Sequence, residues 1–156
     1  MAKKLSHYDA AGRGQMVDVS SKAATQREAE ASAFVQMSPA VVAALPHNPK
    51  GDPFEVARIA GIMAAKRTPE LIPMCHPLPL SHVAVEMRLC ENGVAITTKV
   101  VTTAETGVEM EALTAAAVSA LTLYDMVKGI DKGVEIREIV LLHKTGGKSG
   151  EYRRKT

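Results

Sequence analysis

Between Ala112 and Tyr124 the chain carries no charged residue, although Glu109, Glu111, Asp125 and Lys128 crowd the two ends of that stretch. The pattern predicts a helix starting at Val108 or Glu111, running to Lys128 and closed by Gly129. A helix that is apolar all round is stable only when it is covered on more than one side. A lone surface helix is therefore excluded. Part of this helix is expected to meet another subunit.

The rest of the chain supplies strands. Ala29, Ala31, Ala33, Val35 and Met37 alternate with Glu28, Glu30, Ser32 and Gln36, and Phe34 alone breaks the rule. Period two predicts a strand with one buried face. Ser38-Pro39 offers an N-cap and an N1 proline to a short helix from Ala40 to Leu45. After the turn-rich loop Pro46 to Gly51, Asp52-Pro53-Phe54-Glu55 restarts a helix with a cap, a proline and an acid at N3. Pro73, Pro77 and Pro79 make residues 70–81 an extended, ordered loop. Val83, Val85, Met87 and Leu89 alternate, Glu91-Asn92-Gly93 turns, and Val94 to about Thr103 returns. Val134, Ile136 and Ile139 to Leu142 form a last strand. The order predicts an α+β, ferredoxin-like βαββαβ fold: a four-stranded antiparallel sheet with helices on one face. One domain spans 1–156, with 1–22 and 144–156 expected to be mobile.

A formal net charge of +2 gives no global field for nucleic acid. Aromatics are 3% of residues and Trp is absent, so a stacking platform for single strands is poorly supplied. No apolar run reaches the roughly 18 residues that span a bilayer. The start of the chain has no secretory h-region. Cys75 and Cys90 lack metal-ligand spacing and read as free thiols of a reducing cytoplasm.

Three clusters carry chemistry. Cys75-His76 could pair a nucleophile with a base, but neighbours in an extended segment point opposite ways. The alternative is a stiff, proline-packed loop whose His76 touches a ligand or is hydrogen-bonded. Thr106-Gly107-Val108-Glu109 reads as a capping box. Inside a helix Glu109 and Glu111 would diverge by about 200°, whereas in an extended lead-in they would share a face. Asp125 and Lys128, at i and i+3, are either a surface ion pair or, if buried, an acid and base with perturbed pKa values. Lys50, just before a helix N-terminus, suits a phosphate. The run Lys144 to Gly150 has phosphate-loop composition without the Walker spacing, so a P-loop is rejected and a basic flap retained. The inventory is acids, bases and cations, suited to acid–base chemistry on an anionic ligand.

These motifs resemble a known family. Met16 to Ser20, Ala60 to Pro69, the Cys75-His76-Pro77-Leu78 loop, Thr106 to Thr114, Tyr124-Asp125-Met126 and Gly146 to Gly150 are similar to the cyclic pyranopterin monophosphate synthase family, also called molybdenum cofactor biosynthesis protein C. The resemblance covers nearly the whole chain. It implies a homohexamer, a trimer of dimers, with sites between subunits. It also implies a small-molecule substrate, 3′,8-cyclised dihydro-GTP, received from an upstream radical S-adenosylmethionine enzyme. The implied reaction needs no metal or other cofactor. By matching positions, Asp125, Lys128 and Lys50 would be catalytic. Met74, Cys75, His76, Glu109, Met110 and Glu111 would hold the ring, and Arg27 and Lys148 the triphosphate.

Two other classes compete on the residues alone. A non-catalytic, ferredoxin-like nucleotide-binding sensor would not need Asp125 and Lys128 together. An RNA-binding domain of this fold needs aromatics on its sheet, and neither Val83–Leu89 nor Val94–Val101 has one.

Overall fold

The computed structural model describes residues 7–155. Its first strand, β1 (Thr25–Gln36), follows the alternation read from the sequence: Ala29, Ala31, Ala33 and Val35 are buried, and the residues between them are half-exposed. Helix α1 (Pro39–Ala44) starts after Ser38, which occupies the cap position without a side-chain cap bond. A 3-10 turn (Leu45–His47) leads to α2 (Pro53–Lys66). Here the cap works as expected: the Asp52 carboxylate accepts the amides of Phe54 at 2.9 Å and Glu55 at 3.4 Å. A helical turn, α3 (Thr68–Leu71), carries Pro69 in its first turn.

The hairpin of β2 (Leu80–Cys90) and β3 (Gly93–Ala104) turns at Glu91-Asn92. Gly93, with φ 150°, lies so close to β1 that a Cβ would meet the Val35 carbonyl at 2.1 Å. No other residue fits there without moving a strand. Next come α4 (Glu109–Val127), β4 (Glu135–Thr145) and β5 (Tyr152–Arg153).

The sheet order is β2-β3-β1-β4-β5, and every pairing is antiparallel. The first four strands form the expected split βαβ arrangement. The sheet nevertheless has five strands, not four. Positive φ at Gly146, Gly147 and Gly150 turns the chain back, and Arg154 N–H donates to the Leu142 carbonyl at 2.8 Å. Two residues are too few to leave a period-two signature, so β5 was missed.

Helices α2 and α4 cover one face of the sheet. Ala112, Ala116, Ala120, Leu123 and Val127 are fully buried over the Ala29–Val35 stripe. Small side chains on both surfaces let the backbones approach closely, and Thr98 Oγ1 donates to the Ala112 carbonyl at 2.8 Å. By length and composition α4 could cross a membrane. In this structure it packs on α2, β1, β3 and β4. It ends without a left-handed residue at Gly129. Lys128 stays helical, and the Ile130 amide donates to Val127.

Candidate active site

The start of α4 opens into a cleft of about 370 Å³ lined by Met74, Cys75, His76, Glu109, Met110 and Glu111, among others. The predicted capping box does not form. Val108 occupies the cap position, no side chain caps the helix, and Glu109 is the first helical residue. Its carboxylate instead folds over Gly107, where a Cβ would lie 2.0 Å from Oε2. Both acids are therefore helical, yet both line the cleft, because it wraps the helix start.

Glu111 is only 3% exposed. Burial pushes its carboxyl up to about 7, its own backbone amide opposes this, and the Glu109 charge adds to the rise. Near neutral pH Glu111 can hold or release a proton. Burial, with help from Glu111, also raises the Cys75 thiol, which keeps it protonated and a poor nucleophile. His76 is not paired with it: the ring Nε2 lies 2.8 Å from the Val17 carbonyl. The structure thus gives no Cys–His dyad. The proline loop is pinned from the sheet by Thr102 Oγ1, which donates to the Pro79 carbonyl at 2.7 Å.

Lys22, Thr106, Gly107 and Glu109 also line a second cavity of about 740 Å³, so the two adjoin across the start of α4. Its far end is basic, with Arg27, Lys144 and Lys148. Arg27 is oriented by backbone carbonyls, donating from Nε to Ala104 and from Nη2 to Glu105, each at 2.9 Å. A Cβ on Gly147 would strike Arg27 Nη1 at 2.1 Å, so the glycine makes room for the guanidinium. The groove of the two adjoining cavities therefore runs from an acid- and thiol-lined end to a cationic one. Lys22 and Lys144 were not singled out from the sequence. Lys144 stood in the glycine-rich run, and only the fold reveals which of that run's lysines turns inward.

The third cluster lies elsewhere. Lys128 Nζ is 2.7 Å from Asp125 Oδ1, and Lys50 Nζ is 3.8 Å from Oδ2. Lys50 also donates to the Asp125 backbone carbonyl at 2.8 Å. Its loop is tied to α4 by Asn48, whose Nδ2 donates to the Met126 carbonyl at 2.8 Å and whose Oδ1 accepts the Lys50 amide. Lys50 therefore reaches the C-terminal end of α4 rather than the start of α2. The pair is exposed, not buried. Lys128, then Lys50, holds the Asp125 carboxyl below its ordinary range, and Asp125 raises Lys128.

A rise of about 1.5 Å per residue puts Asp125 about 24 Å beyond Glu109. One protomer thus does not bring the helix-end trio to the groove. Among the described residues, one further group has metal-ligand types, Glu28, Glu30 and His143. Its members already face partners: Lys99 bridges the two acids at 2.6 and 3.7 Å, and His143 meets Glu151 at 2.8 Å.

A split βαβ subunit with a groove acidic at one end and cationic at the other defines a small-molecule site for an anionic ligand, with proton-transfer groups at hand. The chain belongs to the MoaC family, whose model matches residues 16–147. It is 56% identical over 152 residues to a cyclic pyranopterin monophosphate synthase of Nostoc sp., covering 95% of this chain and 90% of that protein. It is 54% identical over 153 residues to proteins of the same name from Streptomyces griseus and Streptomyces coelicolor, covering 97% of this chain and 86% and 90% of theirs.

Proposed function

We propose that this chain converts 3′,8-cyclised dihydro-GTP to cyclic pyranopterin monophosphate, releasing pyrophosphate, in molybdenum cofactor biosynthesis. What carries the reading is the groove's polarity, in a chain alike over nearly all its length to synthases of that name. A purine-derived ring suits the Met74–His76 and Glu109–Glu111 end. A triphosphate suits Arg27 and Lys148, whose cations stabilise charge on a departing phosphate.

Asp125, Lys128 and Lys50 supply acid–base catalysis in this reading. Because they lie at the other end of α4, they serve the groove of a neighbouring subunit. That need and the uncharged helix call for a second subunit, and the family resemblance implies a homohexamer, a trimer of dimers. A small exposed ammonium next to a carboxylate can relay protons during ring rearrangement. Substrate arrives from a radical S-adenosylmethionine enzyme, and the setting is cytoplasmic.

The test is a single-turnover incubation with 3′,8-cyclised dihydro-GTP, read by mass spectrometry, beside Asp125→Asn. The expected outcome is pyrophosphate and a cyclic-phosphate pterin from the native protein only. Unchanged substrate from a folded multimer would favour the nucleotide-binding sensor instead. In that case the double loss of Asp125 and Lys128 would leave ligand binding intact.

A further inference from the structure

Asn48 is half-buried in a loop whose other residues, Pro46 to Gly51, are exposed. All of its polar groups are bonded. Its backbone amide donates to the Leu45 carbonyl at 3.3 Å, and its backbone carbonyl accepts the Gly51 amide at 3.2 Å. Its side chain accepts the Lys50 amide at Oδ1, 2.9 Å away, and donates from Nδ2 to the Met126 carbonyl at 2.8 Å. The two side-chain partners fix which way the amide faces, because an N–H needs the oxygen and a carbonyl needs the nitrogen. Pro49 has no N–H, so the amide that Oδ1 takes two residues on is that of Lys50. The backbone of Asn48, with ψ 123°, is in the extended form that a following proline favours.

The last carbonyls of a helix have no partner within it. At the end of α4 the Lys50 loop supplies donors to two of them: Lys50 Nζ reaches the Asp125 carbonyl at 2.8 Å, and Asn48 Nδ2 reaches that of Met126. Lys50 is thus held at both ends, by its backbone amide and by its ammonium, which stands 3.8 Å from Asp125 Oδ2. An exposed lysine on a free loop samples many rotamers. This one hangs from the helix that carries its acid. The splice needs an acceptor and a donor on one short side chain: aspartate lacks the donor, and serine lacks the reach.

We propose that Asn48 is a positioning residue for the reaction: by joining the Lys50 amide to the Met126 carbonyl it sets the Lys50 ammonium on the Asp125 carboxylate. This rests on the activity proposed above, in which Lys50 and Asp125 supply acid–base catalysis, and deepens it by naming the group that fixes their spacing. Asn48 itself moves no proton and acts through Lys50. The plainer role, a cap for the end of α4, would affect stability without touching the Lys50–Asp125 pair.

The full-length protein is compared with Asn48→Ser, Lys50→Ala and the double variant. Carbon NMR follows the titration of the Asp125 carboxyl, and a single-turnover incubation with 3′,8-cyclised dihydro-GTP gives the rate. Lys128, and after it Lys50, holds this carboxyl below its ordinary range. Asn48→Ser should raise its midpoint as much as Lys50→Ala does. It should also slow turnover by about tenfold to 10²-fold, the cost of a misplaced proton-transfer group. In the double variant neither value should move beyond that of Lys50→Ala alone. With an active wild type, a midpoint or a rate unchanged by Asn48→Ser, or effects that add to those of Lys50→Ala, overturn the proposal. If Asn48→Ser does not fold, Asn48→Asp keeps the acceptor for the Lys50 amide and loses only the donor to Met126. It is read by the rate alone, since its charge also reaches Asp125. If that variant fails too, a crystal structure of wild type decides: Lys50 Nζ on Asp125 with the Asn48 amide bridging to Met126 supports the proposal, and any other arrangement ends it. Turnover with an Asn48-independent midpoint defeats this inference alone. An Asn48-dependent midpoint without turnover defeats the activity and leaves the tether of Lys50 to Asp125 standing.

Discussion

Glu111 couples the site to stability. In the unfolded chain its carboxyl titrates near 4.5, and in the fold it is raised to about 7. A raised carboxyl means the native state binds the proton more tightly, so its contribution is fully present below pH 4.5. It is lost as pH rises through 7. The difference amounts to roughly 3 kcal/mol. Glu111→Gln removes the titration, and thermal unfolding at pH 5 and pH 8 should then differ less than in wild type. An unchanged pH dependence would show that folding does not raise the Glu111 carboxyl. At the opposite end of α4, Lys128→Ala leaves the fold intact because the ion pair is exposed. Under the proposed mechanism it slows turnover by at least about 10²-fold, and a near wild-type rate would remove Lys128 from the chemistry. These residue types were legible in the sequence. Their environments were not, because the same i, i+3 pair and the same two acids are compatible with a surface or a buried setting.

Elements were legible where local chemistry and tertiary packing agree. Asp52, Pro53 and Glu55 announce α2, and the structure keeps the Asp52 cap and the first-turn proline, while the Glu55 carboxylate accepts from Arg58 Nε at 3.0 Å. At α4 they disagree: Thr106 has the right spacing for a cap, yet Val108 takes the cap position and the Glu109 carboxylate lies over Gly107. The contact of α2 with α4 depends on a residue that no periodicity marks. A Cβ at Gly61 would lie 2.1 Å from Ser119 Oγ, the hydroxyl that donates to the Ala57 carbonyl. Gly61→Ala should therefore separate the helices and destabilise the protein by about 1–3 kcal/mol. Ser119→Gly should recover part of that loss in the double variant. Denaturant unfolding of the two single variants and the double variant measures the coupling, and additive losses would deny it.

At the scale of the molecule, the succession of strands and helices followed from alternation and turns, most plainly where β1 and β3 each bury one face. The tail's fold-back on β4 did not, since it depends on three glycines and a two-residue strand. The proposed sharing of the site between subunits predicts a multimer by light scattering, and a clean monomer would contradict it. Mixing inactive Asp125→Asn with inactive Lys148→Ala subunits should restore activity after exchange. In two-fold pairs, roughly a quarter of the sites would regain both native halves. No recovery from exchanged subunits would place both halves within one chain.

Helix α4 also acts as a spacer between two sets of charged groups. One residue inserted between Ala112 and Tyr124 would leave every acid, lysine and loop motif present. Yet it would turn Asp125 and Lys128 by about 100° and advance them about 1.5 Å relative to Glu111. The alanines would leave the sheet's stripe as well. The length of this segment is thus as strict a requirement as any side chain in it, and a relative with the full set of motifs but a different count here would not share this geometry.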